Sequence, residues 1–440
     1  MNDKNTLQQI LQFRYLGMFL LNGFETIISN TKYVVCFVAS ICLYFFIGTR
    51  LISSYSGPLA KMYMTVSCIA LLLVGVLTLM FGIWRIGAPK GYIGIMQNMY
   101  RVGLVNAAGE APVLVSRRKS TDDSKTEIWE YETYGIPFSA WLDSAEKLES
   151  ALDIALTRVE PGKDGRTALL TVVPHPGPWP NLLLWNNNLL HPKNSVLLLG
   201  ENRCEQVTLD LSSIPHILTA GRTGSGKSVL QKSLMLQALL HGMAVILVDY
   251  KFGVDYSREW HHHCQIIKDD DSFLAKLTEL LKEMQRRYEI LEKSGFPNID
   301  KYNEAGNAPL RRVCLFVDEI AECLDKSNAT DKKSKEVTAA ISASISSLCR
   351  LGRAAGIHVF LSTQRGSADI LSGQIRSNVF KILGEADENL SILTLGNADA
   401  AKKIPIEAHG RFIDERGNMF QGYYSDYGPE VFSVLSEGTL

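Results

Sequence analysis

The stretch PHILTAGRTGSGKSVLQKSL, residues 215–234, places a glycine-rich turn between an apolar run and a segment with helical spacing. Residues 221–228, GRTGSGKS, fit the pattern G-x-x-x-x-G-K-[ST], which holds nucleotide phosphates when a strand precedes it and a helix follows. HILTA (216–220) predicts the strand, and SVLQKSLMLQALLHG (228–242) predicts the helix. The sequence therefore predicts a nucleotide site at this turn.

The turn has the residue types that a polyphosphate site needs. Gly221, Gly224 and Gly226 let the backbone turn so that its N–H groups face the anion, and the following helix adds its positive N-terminal end. Lys227 is expected to reach the β- and γ-phosphates, and the Ser228 hydroxyl is expected to ligate Mg²⁺. The predicted cofactor-binding residues of the loop are Gly221, Arg222, Thr223, Gly224, Ser225, Gly226, Lys227 and Ser228.

A pair of acidic residues follows a second apolar run, in RRVCLFVDEIAECL (311–324). VCLFV is continuous and apolar, as expected of a central parallel strand. Asp318 ends it and is placed to hold Mg²⁺ together with Ser228, while Glu319 is placed to polarise a water for attack on the γ-phosphate. Such pairs also commonly cap helices, and the upstream phosphate loop favours the catalytic interpretation, with Glu319 and Lys227 as catalytic residues.

Further apolar runs complete an alternation of strands and helices. MAVILVDYK (243–251), HVFLSTQ (358–364) and VFKILG (379–384) predict strands that are separated by helical sequence. This alternation is typical of a doubly wound α/β domain, whose ligands bind at the carboxyl ends of parallel strands. Asp249 and Gln364 fall at such ends. We expect Gln364 to sense the γ-phosphate; a polar strand terminator is the alternative.

The composition is that of a globular protein with nearly balanced charge. Hydrophobic residues make up 46% and charged residues 21% of the 440 residues, and the formal net charge is −1, so any nucleic-acid surface must be a local patch. The eight cysteines form no CxxC pair, and we interpret them as reduced thiols of a cytosolic protein. HHHC (261–264) raises the alternative of a metal site; adjacent histidines do not readily face one ion, so we favour a polar loop before the strand CQIIK.

Two uncharged segments near the N-terminus predict a transmembrane helical hairpin. Residues 33–49 and 62–84 are apolar on every face, and the second easily crosses a hydrocarbon core of about 30 Å. Two buried core helices are the alternative. Basic residues are slightly more numerous outside the connecting turn than in it, which favours a multi-pass cell-membrane protein with both termini in the cytoplasm. Within the cytoplasmic segment 1–32, residues 13–28 are expected to lie along the membrane surface.

The rest of the sequence predicts a mixed α/β region over 85–195, next to the membrane. APVLVS, EIWEYETYGI and ALLTVV have strand character. SAEKLESALDIALTRV (144–159) opens with a serine and has apolar residues at helical spacing, so we expect a capped helix over its length. SVLLLGENRCEQVTLDL (195–211) predicts a hairpin leading into the glycine loop. The nucleotide-binding domain is expected over 196–425, followed by a C-terminal tail, 426–440.

Several stretches, in order, resemble the FtsK/SpoIIIE family of ring-forming DNA translocases. They are PHILTAGRTGSGKSV, VDYK, EMQRRYEILEKSGFPNIDKYN, LFVDEIAECL and LCRLGRAAGIHVFLSTQR, within residues 200–420. The glycine loop is shared by many NTPases, whereas EMQRRY…NIDKYN and GRAAGIHVFLSTQR are far more specific. The resemblance implies a RecA-like P-loop ATPase domain that assembles as a homo-hexamer, encircles double-stranded DNA and pulls on it, with ATP and Mg²⁺ as cofactors.

The resemblance also implies an arginine that completes the active site of the neighbouring subunit. Arg353, in LGRAAGIH, is the best positional candidate for this catalytic role, and Arg365 and Arg376 are alternatives. A cation there would offset the charge that develops on the γ-phosphate. A surface or core-edge arginine without such a role is the other interpretation of each.

Two segments with basic residues are candidates for pore loops that contact DNA. DKSNATDKKSKE (325–336) follows the Asp318 strand and includes Lys326, and RGSADILSGQIR (365–376) follows Gln364. A few cations per subunit, multiplied by six, suffice for phosphate contacts, which predict little sequence specificity and a steep salt dependence. A solvated lysine face is the alternative. The predicted DNA-binding residues are Lys332, Lys333, Lys335, Arg365 and Arg376.

The architecture narrows the expected function. The family's cell-division members carry more spans, a long linker and a C-terminal winged-helix module, whereas this sequence has two predicted spans and ends soon after GRFIDERGNMFQGYY (410–424). We therefore expect a membrane-anchored DNA translocase similar to the FtsK-type coupling proteins of Gram-positive conjugative elements, with a relaxase and channel proteins as partners. The alternatives are a chromosome-segregation translocase and, in a different class, a membrane-tethered protein-export ATPase or docking adaptor.

Overall fold

The chain forms two compact units, Met1–Pro176 and Gly177–Leu440. The structure is a computed structural model, and it describes residues 2–52, 59–120, 125–325, 332–364, 371–425 and 428–435. Two of the predicted basic residues, Lys326 and Arg365, lie outside the described residues.

Three long helices open the first unit: α1 (Asn2–Ser29), α2 (Thr31–Ile52) and α3 (Ala60–Gly87). The stretches Thr31–Arg50 and Lys61–Gly87 are long and apolar enough to cross a membrane, and each is only 6% buried in its most apolar part. They contain the predicted spans. Their exposed surfaces argue against the alternative of two buried core helices.

The first helix contacts the third at two glycines. A Cβ on Gly23 would lie 2.0 Å from the carbonyl oxygen of Ile83, and a Cβ on Gly87 would lie 1.9 Å from that of Phe19. Small residues allow such close approach of two helix backbones, and any larger residue would push the helices apart. Within residues 13–28, expected to lie along a membrane surface, the side around Phe19 and Gly23 is therefore covered by α3.

A four-stranded antiparallel sheet, ordered β1-β2-β4-β3, follows the helices. Its buried side is covered by helices whose apolar residues meet those of the strands around Trp129, Tyr131 and Trp141. The elements are α4 (Tyr92–Val102), β1 (Val113–Lys119), β2 (Glu127–Glu132), α5 (Phe138–Asp143), α6 (Ala145–Leu152), β3 (Ile154–Pro161) and β4 (Thr167–Pro174).

The expected capped helix over 144–159 is wrong in its second half, and the Ser144 side chain makes no capping hydrogen bond at its start. The helix ends at Leu152, and Asp153 adopts a left-handed backbone with φ 49°. Ile154–Pro161 then form β3, which pairs along its length with β4. β-Branched side chains such as Ile154 and Val159 suit a strand, and the ladder to β4 outweighs the local helical spacing.

The second unit is built on one large sheet, ordered β10-β9-β11-β12-β8-β13-β14-β15-β6-β7, with β5 paired to β15. Neighbours from β10 to β13 are parallel, which confirms the doubly wound α/β expectation for that half. The remaining neighbours from β13 to β7 are antiparallel, including the predicted β6–β7 hairpin. The strands are β5 (Leu183–Leu184), β6 (Val196–Glu201), β7 (Gln206–Asp210), β8 (His216–Ala220), β9 (Ala244–Val248), β10 (Gln265–Ile267), β11 (Val313–Val317), β12 (Ile357–Thr363), β13 (Phe380–Leu383), β14 (Arg411–Asp414) and β15 (Met419–Tyr424).

Helices cover both faces of this sheet. Alternate residues of β11 enter two separate cores: Phe316 meets residues of α7, and Leu315 meets residues of α9 and α12. Burial on both faces explains why the parallel strands read as continuous apolar runs. The helices are α7 (Lys227–Leu240), α8 (Arg258–His263), α9 (Asp270–Ser294), α10 (Ile299–Glu304), α11 (Ile320–Leu324), α12 (Lys332–Ala355), α13 (Gly373–Asn378), α14 (Glu388–Leu395), α15 (Asp399–Lys403) and α16 (Pro429–Phe432).

The three adjacent histidines belong to the short helix α8, so the expected polar loop is wrong. Trp260 in the same helix is buried, and its ring meets Phe432 edge-to-face with centroids 5.0 Å apart. This anchor holds the segment as a helical turn before β10. Within the described part of the chain, no group of three or more His, Cys, Asp or Glu side chains is placed to hold a metal ion.

Candidate nucleotide-binding site

The glycine-rich turn lies between the end of β8 and the first residue of α7, as predicted. Gly224 and Gly226 have φ values of 85° and 97°, in the left-handed region that favours glycine. A Cβ on Gly226 would also lie 2.9 Å from the backbone of Gly410. The conformation of the turn and its close contact with the backbone of Gly410 both require glycine at this position.

The Lys227 side chain folds back into the turn. Its Nζ donates to the carbonyl oxygens of Gly221 at 2.6 Å and of Arg222 at 2.9 Å. The side chain is 7% exposed, and burial lowers the pKa of the ammonium group, an effect that the carboxylates of Glu319 and Asp318 oppose. The lysine therefore presents a partly dehydrated cation inside the loop.

The loop fits a polyphosphate in a second respect. An anion inside the turn would meet both the Lys227 ammonium and the N-terminus of the 14-residue helix α7. Ser228, the second residue of that helix, is exposed to solvent.

Asp318 lies directly beyond β11 and is 9% exposed. Its N–H donates to the carbonyl oxygen of Val248 at 3.1 Å, so the end of β9 fixes its backbone. Burial raises the pKa of its carboxyl, and Lys251, whose Nζ lies 3.9 Å from Asp318 Oδ2, opposes that shift. Its carboxylate and the Ser228 hydroxyl are oxygen ligands of the kind that Mg²⁺ binds, so both fit the expected metal role.

Glu319 is held by the end of the neighbouring strand β12. Its Oε1 accepts from the Thr363 hydroxyl at 2.9 Å, and its Oε2 accepts from the backbone N–H of Gln364 at 2.9 Å. Gln364 Oε1 in turn accepts from the Thr223 hydroxyl of the glycine loop at 2.6 Å. Burial raises the pKa of the Glu319 carboxyl, and the hydrogen bonds from Thr363 and Gln364 oppose this shift. The structure thus brings Glu319, Gln364 and the loop together.

Sequence reasoning missed several residues around the loop. His409 Nδ1 lies 3.1 Å from the carbonyl oxygen of Gly224, and Gly410 N–H donates to that of Ser225 at 3.0 Å, so the two residues before β14 support the turn. Thr363 and Lys251 were not singled out either. Both belong to stretches that carry the family resemblance, Thr363 to LCRLGRAAGIHVFLSTQR and Lys251 to VDYK. The contact between residues 224 and 409 has no signal in local sequence.

Arg353 lies at the other edge of the sheet, away from the loop of its own chain. It is exposed at the end of α12, and its Nε donates to the carbonyl oxygen of Ser212 at 2.8 Å. The strands β8 and β12 begin at this edge and end at the nucleotide loop, about 17 Å away for a five-residue strand. Arg353 is therefore outside the site that its own chain forms.

The predicted DNA-binding residues are only partly brought together. Lys332, Lys333 and Lys335 are exposed in the first turn of α12, which runs antiparallel to β12 and so begins at the edge that carries the nucleotide loop. Lys333 Nζ lies 3.7 Å from Asp271 Oδ2. Arg376 is in α13, which meets the middle of α12 through a hydrogen bond from Ser346 to Gln374, about 20 Å from the lysines at 1.5 Å per residue.

The phosphate loop, the acidic pair and the parallel strands define a P-loop NTPase. Residues 188–317 match the FtsK/SpoIIIE family and form a domain of that family, which confirms the resemblance. The chain is 28% identical over 302 residues to the DNA translocase SpoIIIE of Bacillus subtilis (strain 168), covering 62% of this chain and 37% of that protein. It is 30% identical over 241 residues to the DNA translocase FtsK of Treponema pallidum (strain Nichols), covering 48% and 29%. The match spans about a third of the length of these relatives.

A solved structure extends the similarity beyond the family domain. The pCW3 conjugation coupling protein TcpA, in a monomer form with ATPγS, superposes with a TM-score of 0.57 and 28% sequence identity. The alignment covers 79% of this chain and all of that chain. The fold of this protein is therefore that of an FtsK/SpoIIIE P-loop ATPase, as the sequence predicts.

Replacing the loop lysine tests the nucleotide site. Lys227→Ala should weaken binding of a fluorescent ATP analogue by about tenfold or more, because a charge-assisted contact with the phosphates is lost. The measurement is a titration of the purified full-length protein in detergent. Lys301→Ala, which removes an exposed lysine paired with Glu304, is the matched control. Equal affinities of the two variants would contradict the assigned site.

Proposed function

We propose that this protein is a membrane-anchored, ATP-driven DNA translocase that delivers DNA to a conjugative transfer channel. The observation that carries the proposal is the whole-chain match of the TcpA structure, a conjugation coupling protein with ATPγS, to 79% of this chain. Two relatives named as DNA translocases support the DNA-moving part of the proposal. A relaxase and channel proteins are the partners that a coupling role requires.

The nucleotide chemistry assigns one role to each residue at the loop. Lys227 and the loop amides bind the β- and γ-phosphates of ATP, and Gln364, hydrogen-bonded to Thr223, contacts the γ-phosphate. Ser228 and Asp318 hold Mg²⁺, which when bound neutralises charge on the phosphates. Glu319 orients and polarises the attacking water. Within the part of the chain that the structure describes, Oε1 accepts one short hydrogen bond from Thr363 and Oε2 accepts one from the N–H of Gln364, so each oxygen keeps a lone pair for that water.

The membrane anchor consists of α2 and α3. At 1.5 Å per residue, the apolar stretches of 20 and 27 residues are about 30 and 40 Å long, which matches a hydrocarbon core of about 30 Å. Their exposed leucine, isoleucine and phenylalanine side chains would otherwise face water. The hairpin returns the chain to its starting side, and both termini are cytoplasmic in the proposal, in keeping with the basic residues that flank it.

A ring of subunits completes the active site in this proposal. Arg353 is exposed at the sheet edge opposite the loop, so it can reach a nucleotide only in a second copy of the chain. In a homo-hexamer the arginine of one subunit offsets the charge that develops on the γ-phosphate in the next. The lysines of the first turn of α12 face the DNA backbone, and Arg365 and Arg376 are further candidates for that surface.

Chromosome segregation and protein export remain the competing functions. Both would use the same nucleotide site, and they differ in the polymer or protein that stimulates it. The match to a coupling protein over its full length favours conjugation over segregation. A protein-export ATPase would respond to its protein substrate and ignore DNA, so the stimulation experiment separates the two classes.

Duplex DNA should raise the ATPase rate of the full-length protein several-fold, in detergent or nanodiscs, and the stimulation should fall steeply with salt. Phosphate release measures the rate. An ATPase rate that is indifferent to duplex DNA would contradict the proposal.

Glu319→Gln should bind the fluorescent ATP analogue as the unmodified protein does and lose hydrolysis by about 100-fold or more, because the water loses its base. The same assay of phosphate release measures the loss. A Glu319→Gln variant with full activity would contradict the role of Glu319 in the proposal.

Mixed rings test the role of Arg353. Arg353→Ala and Lys227→Ala should each be inactive alone, and mixing them should restore part of the DNA-stimulated ATPase. In the mixture, an intact loop in the Arg353→Ala subunit can lie beside an intact arginine in the Lys227→Ala subunit. Arg353→Lys, which keeps the charge, should retain more activity than Arg353→Ala. A mixture as inactive as its components would mean that the arginine does not act between subunits.

A further inference from the structure

We propose that Thr363 is a positioning residue that holds the Glu319 carboxylate at the nucleotide loop. The inference rests on the proposed function, because it assigns a role in the hydrolysis that Glu319 would perform. Thr363 is the last residue of β12 and is 1% exposed. Its hydroxyl donates to Glu319 Oε1 at 2.9 Å.

Strand register sets the two residues side by side. In the parallel pair β11–β12, Val317 lies opposite Leu361, so two residues further along Glu319 comes beside Thr363. In the pair β12–β8, Thr363 lies opposite Ala220, which brings Gln364 beside the first residue of the glycine loop. The end of β12 therefore stands between the acidic residue and the loop and contacts both.

Among the described residues, the hydroxyl supplies one of two short hydrogen bonds to the carboxylate. The other comes from Gln364 N–H to Oε2 at 2.9 Å, and the N–H of Ala321 is further from Oε1, at 3.4 Å. A glutamate side chain has three rotatable bonds, and a single backbone contact leaves its carboxylate free to rotate. Anchoring both oxygens fixes the plane and position of the carboxylate, which a base needs in order to orient a water.

The contact between Thr223 and Gln364 ties this arrangement to the loop. The Thr223 hydroxyl donates to Gln364 Oε1 at 2.6 Å, and the same glutamine donates its backbone N–H to Glu319. Thr223 and Gln364 are both exposed, whereas Thr363 is buried behind them. Thr363 thus fixes Glu319 from the side that a nucleotide does not reach, and it is a positioning residue and not a ligand of the substrate.

Removing the hydroxyl while keeping the shape of the side chain tests this role. Thr363→Val in the full-length protein should lower kcat for DNA-stimulated ATP hydrolysis by about tenfold or more, because a charge-assisted hydrogen bond is lost. KM and the affinity for the fluorescent ATP analogue should stay within about twofold, since the loop itself is unchanged. Thr363→Ser, which restores the hydroxyl, should recover most of kcat.

The outcomes separate the inference from the proposed function. An unmodified protein without DNA-stimulated ATPase would refute the proposed function, whereas an active protein whose Thr363→Val variant keeps or raises kcat would refute only the role of Thr363. A Thr363→Ser variant as impaired as Thr363→Val would assign the effect to packing and would also overturn the inference. If Thr363→Val does not fold, Thr363→Cys, with a weak donor of similar size, should still bind the analogue with reduced kcat, and an unchanged kcat would overturn the inference.

Discussion

Three parallel strands, β11, β12 and β8, end at one edge of the sheet, and the candidate site depends on the register in which they pair. The register sets Glu319 beside Thr363, and Gln364 beside Gly221. The glycine loop, the acidic pair and Gln364 come from three distant parts of the sequence, so no local interaction could bring them together. Their arrangement follows from which strands are neighbours and from where each strand stops.

The apolar residues of these strands fix the register. The rings of Phe316 and Phe360, on neighbouring strands, stack with centroids 4.2 Å apart, and the residues that alternate with them enter the other core. A shift of one residue would exchange the two faces of a strand that packs against different helices on each side. At the opposite edge, a buried pair adds a polar constraint: Arg312 donates to His358 Nε2 at 2.8 Å, and His358 Nδ1 lies 3.1 Å from the carbonyl oxygen of Pro215. Burial lowers the pKa of His358, so the imidazole is neutral and can accept this hydrogen bond.

In the proposed mechanism, the two edges of the sheet carry different functional residues. The carboxyl edge carries the loop, the acidic pair and the start of α12, where the lysines lie. The amino edge carries Arg353, whose Nε donates a hydrogen bond to the carbonyl oxygen of Ser212. The Ser212 hydroxyl in turn donates to Asp300 Oδ2 at 3.0 Å. In the proposed ring, the arginine at one edge of one copy and the loop at the other edge of the next copy meet between the two chains.

Sequence reasoning captured the features that local patterns encode. The loop at 221–228, the strand before Asp318 and the two apolar helices all have strong signals within about twenty residues. The helix expected over 144–159 failed because its second half pairs with β4, and tertiary pairing outweighed helical spacing. The contact of His409 with the glycine loop and the contact of Thr363 with Glu319 could not be predicted from local patterns. The first joins residues that are 185 positions apart in the sequence, and the second joins residues that are 44 positions apart. The antiparallel half of the sheet was missed for the same reason, apart from the β6–β7 hairpin.

Displacement of a triplex-forming strand from duplex DNA is the most direct measurement of the central claim, because it reports movement along DNA separately from hydrolysis. The full-length protein in nanodiscs should displace the third strand when ATP and Mg²⁺ are present and should leave it bound when a non-hydrolysable analogue replaces ATP. A protein that hydrolyses ATP rapidly on the duplex and leaves the third strand in place would contradict the account.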